Sequence, residues 1–208
     1  MRKIMVAVTS VLLLTGWGVV AQEKPKAGHE AMGKSGGKSD AATIAKATSA
    51  APPEVAKNAA VMGVGADGKM VELRKGTNGW MCMVDPAGDP MCLDKEWQAW
   101  GDAWMNKKDP PQPKSVGVAY MLKGDKGASN TDPYAEKKTA DNEWIVSPPH
   151  VMLLPTDPSQ LDAFPTDPKA GGPWVMWKGT KYAHIMVPTA PMPKTAMPAK
   201  SAAKPGEK

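Results

Sequence analysis

Phenylalanine occurs once in this 208-residue chain, as Phe164, and cysteine twice, as Cys82 and Cys92. A core with almost no Phe must be filled by other side chains, and 15 methionines and eight tryptophans are the material at hand. The cysteine spacing excludes a Cys-X-X-Cys redox centre, and no Cys-X-X-Cys-His run offers a haem attachment point. Between Ala42 and Val187 there is no Gly-X-Ser-X-Gly elbow, His-Glu-X-X-His helix or phosphate-cradling glycine loop. The best-marked hydrolase, metalloprotease and nucleotide-binding classes are therefore unsupported. Basic surplus is also missing where it would matter. Of the 26 Lys and Arg, Arg2, Lys3 and eight tail lysines lie outside the packed segment, against only four of the 21 acids. What remains is close to neutral with no basic stripe, which argues against a nucleic-acid partner.

The ends are distinctive. Arg2 and Lys3 precede an uncharged run from Ile4 to Val20, and Val19-Val20-Ala21 offers a cleavage site ahead of Gln22. Residues 1–21 read as a secretory signal. No Cys follows the run to carry a lipid, so no stable membrane anchor is expected after cleavage. Residues 22–41 and 188–208 are Lys, Ala, Gly, Ser and Pro without an apolar pattern and read as disordered linker and tail. One globular domain, 42–187, is left, in the periplasm or outside the cell.

Within it, Ala42 to Met62 suggests one or two short helices, with Pro52-Pro53 before Glu54 suited to a first turn. Val61–Val64 and Met70–Arg74 flank Asp67-Gly68, a strong hairpin signal. Trp80 to Val84 reads as a third strand. Leu93 to Lys107 is the clearest helix: Asp94 caps it, and Leu93, Trp97, Trp100 and Trp104 make one aromatic face. Val116–Leu122 reads as a buried strand and Lys123–Asn142 as a long polar loop of functional or mobile kind. Trp144–Leu154 is a strand pair or one bent strand, because Pro148-Pro149 cannot sit in a central ladder. Trp174 to Val187 forms a terminal hairpin around Lys178-Gly179-Thr180. Thr131-Asp132-Pro133, Thr156-Asp157-Pro158 and Thr166-Asp167-Pro168 read as capped turns. The sum is an α+β single domain: a mainly antiparallel sheet, one Trp-rich helix, short N-terminal helices and one disulfide.

Four groups of residues offer chemistry. Cys82 and Cys92, an even pair in an exported chain, read as a disulfide around Asp85–Pro90, with a redox pair or thiolate metal ligands as the competing readings. His150-Val151-Met152 and His184-Ile185-Met186 each put an imidazole and a thioether two apart on a strand, hence on one face. If those strands are neighbours the four side chains converge. Thioether with imidazole favours copper, particularly Cu(I), and Met81, Met83 and Met91 would be further donors. The competing reading is core packing, for which methionine is a common filler. A hydrolytic site would need His150 or His184 oriented by an Asp such as Asp132 or Asp157, with a Ser or Thr nucleophile. Trp80, Trp144, Trp174 and Trp177 would line a binding cleft if several of them gathered near the 123–142 loop.

Lys75-Gly76-Thr77-Asn78-Gly79-Trp80, Pro90-Met91-Cys92, His150-Val151-Met152, Trp174–Thr180 and His184-Ile185-Met186 together resemble a family of uncharacterised bacterial exported proteins. The resemblance implies one exported domain from about Pro52 to Val187 and brings no activity, ligand or fold. The residues themselves favour an exported, soluble, non-catalytic binding or interaction module of unspecified ligand. A periplasmic copper-binding protein is the sharp alternative and an unrecognised hydrolase the distant one.

Overall fold

The computed structural model describes residues 38–140 and 142–193. The expected signal segment, most of the 22–41 linker and the tail from residue 194 lie outside the described residues. In chain order the elements are α1 (Lys38–Thr48), α2 (Pro53–Ala56), β1 (Ala60–Val64), β2 (Met70–Arg74), β3 (Met81–Val84), β4 (Pro90–Leu93) and α3 (Lys95–Met105). There follow β5 (Gly117–Met121), β6 (Ala128–Ser129), β7 (Trp144–Ile145), β8 (His150–Leu154), β9 (Trp174–Met176) and β10 (His184–Pro188), with two 3-10 turns between β8 and β9. Eight strands form one sheet in the order β2-β1-β3-β4-β5-β8-β10-β9, while β6 and β7 pair separately. Among the described residues only β1 with β3 runs parallel; every other pair is antiparallel. The α+β class expected from the sequence is the class observed.

Local chemistry accounts for most element ends. Asp67-Gly68 turns β1 into β2, with Gly68 at φ 79° and the Gly65 N–H donating to Lys69 O. Asp94 caps α3 through one carboxylate oxygen, which accepts from Trp97 N at 2.9 Å. Its other oxygen accepts from Val118 N at 2.6 Å, so the cap also ties the helix to β5. All three Thr-Asp-Pro turns close alike: Asp132, Asp157 and Asp167 accept from the backbone N–H two residues on.

Where expectation and structure differ, the reason is pairing. Helix α1 begins at Lys38, ahead of the expected boundary at Ala42, and packs on the sheet through Ile44 and Ala47 further along. Pro90–Leu93 becomes a strand because it returns against β3. The polar loop is not wholly irregular: Ala128–Ser129 pairs with Trp144–Ile145 as a small ribbon. A Cβ at Gly127 would lie 2.1 Å from Trp144 Nε1, so only glycine lets that indole close over the ribbon. Trp144–Ile145 and His150–Leu154 thus belong to different sheets, with Pro148-Pro149 between them.

Alternation along the strands gives the large sheet two buried faces. On one, α1, α2 and the turn between them lay Ala47, Ala50, Ala51 and Ala56 over Val61, Cys82 and Cys92. On the other, Trp97 and Trp100 of α3 cover Leu93, Ala119, Met121, Met152, Leu154, Met176 and Met186. The disulfide belongs to the first face. Cys82 and Cys92 are direct cross-strand partners on β3 and β4, 4.0 Å apart at Cα and fully buried.

Candidate functional site

The second face is organised by register. Strands β8 and β10 are antiparallel neighbours, and Met152 lies directly across from Met186. His150 stands two residues before Met152, and His184 two residues before Met186. The four residues are therefore related by a local two-fold through the Met152–Met186 pair. The outer strands extend the relation: Met121 of β5 faces His150, and Met176 of β9 faces His184. Cross-strand partners share a face, so the two histidines stand amid four methionines. All six are buried, with His150 at 0% and His184 at 2% exposure. Met121 and Met176 were not singled out in the sequence. Both lie at alternate positions of expected strands, but only the register reveals what they face.

Each imidazole is pinned in the same manner. His150 Nδ1 lies 2.7 Å from Pro148 O, and His184 Nδ1 lies 3.0 Å from Tyr182 O. A carbonyl only accepts, so Nδ1 carries the proton in both rings. In the neutral ring Nε2 then presents a bare lone pair. Both Nε2 atoms are buried without a hydrogen-bond partner among the described residues. Burial holds the rings neutral: it pushes the His184 pKa down to about 4, against the stabilising Tyr182 carbonyl, and lowers that of His150 too. Metal-binding histidines are commonly arranged in this way, with one N–H on a backbone carbonyl and the other nitrogen free.

The two surroundings differ. Around His184 the rings of Trp97, Trp100 and Trp177 stand nearly perpendicular at 5.2, 5.7 and 5.0 Å. Trp177 leaves β9 in the left-handed region at φ 58°, a strained choice for a bulky residue. Its N–H donates to Asn130 O at 2.8 Å and its indole N–H to Ser129 O at 2.7 Å, and its ring stacks between Trp100 and Trp104. Near His150 lies instead Asp125, whose carboxyl burial raises in pKa and which accepts from Ser147 N at 2.9 Å. Met83, Met91 and Met81 lie on the same sheet face further out. Met83 faces Met91, and Met91 leads to the Met121–His150 row, whereas Leu93 and Ala119 separate Met81 from Met152.

The remaining candidates make no second site, although Trp144, Trp174 and Trp177 do gather on residues 127–130 of the polar loop. Cys82 and Cys92 are bonded to each other on the opposite face, so neither supplies a thiolate. Asp132 and Asp157 cap turns, and backbone carbonyls, not carboxylates, orient both histidines. Trp174 is fully buried with its indole N–H on Asn130 Oδ1 at 3.1 Å; Trp80 packs against Tyr120 on the disulfide face; Trp144 covers the ribbon. Two open hollows of about 510 and 340 Å³ are lined chiefly by polar residues of segments 131–142 and 123–126, and none of the four tryptophans lines either. Among the described residues no three His, Cys, Asp or Glu side chains gather closely enough to hold a metal, so a site here would have to use thioethers. No helix of the described residues is long and apolar enough to cross a membrane. No family model, curated protein or solved structure matches this chain.

Proposed function

We propose that this chain is an exported, non-catalytic binding protein whose ligand is monovalent copper, taken up on the His/Met face through His150, Met152, His184 and Met186. The observation that carries the reading is the paired, unpartnered Nε2. An unsatisfied buried acceptor costs about 1–3 kcal/mol. A Leu or Met at either position would avoid that cost and fill the space. This core bears it twice, in rings already fixed in the tautomer a metal needs, beside soft thioether donors. The donor set is uncharged, with no thiolate and no carboxylate among the four residues. An ion of single charge is the cheapest to desolvate there, and soft sulfur prefers Cu(I) to Cu(II) or zinc. A signal-like N-terminus and an oxidised cysteine pair agree with export, the setting in which such copper handling belongs.

The test is a competition titration of tag-free protein, purified without copper, against a chromophoric Cu(I) chelator. We expect chelator-resistant Cu(I) and weaker retention of Zn(II). The variant His150→Leu with His184→Leu should lose that capacity while keeping its far-UV circular dichroism and a cooperative unfolding transition. Absence of uptake by the wild-type chain, or undiminished uptake by the folded double variant, would overturn the reading.

A further inference from the structure

Resting on that reading, we infer that the face takes two monovalent ions rather than one, each histidine heading its own set of three donors. One set is His150 with Met121 and Met152; the other is His184 with Met176 and Met186. The register makes the case. The two histidines lie on opposite sides of the Met152–Met186 pair, four residue steps apart. That offset corresponds to roughly 13 Å of extended strand. A shared ion would need both Nε2 atoms about 2 Å from it, and so about 4 Å or less from each other.

The hydrogen bonds oppose such a convergence. Each Nδ1 is held by the carbonyl two residues before its histidine, on the side away from the methionine pair. Swinging a ring far toward the centre would break that bond. Each imidazole instead has a thioether directly across the ladder and another two residues ahead on its own strand. Directly opposed Cβ atoms lie about 4.5–5.5 Å apart, within reach of a flexible methionine. One nitrogen and two sulfurs without charge suit a three-coordinate monovalent ion. The local two-fold supplies this arrangement once on each side.

The sets are related but not equivalent, and the difference gives an optical signature. Three indoles surround His184. The His150 set continues instead through Met91 and Met83, both half-buried, toward the β3–β4 hairpin. An ion at His184 should perturb tryptophan emission strongly, and one at His150 much less.

The experiment is an Ag(I) titration of the exported chain, followed by native mass spectrometry and tryptophan emission, with Cu(I) under chelator competition as a parallel arm. Two ions per chain are expected, with most of the emission change tracking one of them. His184→Leu and, separately, Met176→Leu should retain one tight ion and lose most of the emission change. His150→Leu and, separately, Met121→Leu should also retain one, with the emission change kept. The Met→Leu variants conserve volume, so they report on donors even if a histidine variant fails to fold. Saturation at one ion, abolished equally by each of the four substitutions, would overturn the two-site inference and leave copper binding standing. No tight uptake of either ion would overturn both.

Discussion

The face of the sheet under α1 and the face under α3 share β3, β4 and β5, where their side chains alternate one residue apart. Cys82 points to one and its neighbours Met81 and Met83 to the other; Cys92 sits likewise between Met91 and Leu93. On the first face small alanines bring α1 close and a covalent bond joins β3 to β4, and none of the unsatisfied buried polar atoms lies among its cluster residues. The second face is filled by large, polarisable side chains and holds both orphaned imidazole nitrogens, together with the unpartnered indole N–H of Trp97. Burial alone does not distinguish the two. What differs is whether the buried polar groups of each face are satisfied.

The sharpest way to break this contrast is to cut the largest anchor of the second face. Trp174→Ala should cost about 3–5 kcal/mol, through the lost indole and its hydrogen bond to Asn130, read from urea unfolding. A loss below about 1 kcal/mol would mean that this face is loosely packed.

Acid comes next. His184 has its pKa depressed in the folded state, from 6.5 to about 4, so the unfolded chain binds its proton first. The stabilisation is complete above about pH 6.5 and is lost as pH falls toward 4, with a slope of up to about 1.4 kcal/mol per pH unit from this group. His150 shifts the same way and adds to it. In His184→Leu the unfolding free energy should depend less steeply on pH over that window. An unchanged slope would mean that the ring is not held neutral.

The first face should respond differently. Replacing Cys82 and Cys92 together by Ala should cost about 2–3 kcal/mol, as expected for a loop of this length. Copper uptake by the folded variant should be unchanged, because the bond lies across the sheet from the histidines. A parallel loss of uptake would erase the division of labour between the faces.

Much of this was legible in local sequence. Asp94 announces the start of α3, Asp67-Gly68 the first hairpin, and the spacing of Trp97 and Trp100 their shared burial. The disulfide followed from two cysteines in a chain with an export-like N-terminus. His150 with Met152, and His184 with Met186, could be placed on common faces by the two-residue period of a strand. Trp177 was not legible: three residues after Trp174 on an extended strand it would face the other side, but the chain turns left-handed there to stack the ring between Trp100 and Trp104. Nor was the partnership of His150 with Met121, or of His184 with Met176.

The sequence by itself determined which side chains travel together, because alternation and capping depend only on near neighbours. It determined the material of the core as well, by offering methionine and tryptophan in place of phenylalanine. Only the tertiary structure decided that β8 lies beside β10, in a register setting Met152 across from Met186. That choice belongs to the order of the whole sheet, and one residue of slip would turn a strand's side chains to the other face. It is what gathers two distant His-X-Met segments into one buried, unsatisfied, soft-donor face.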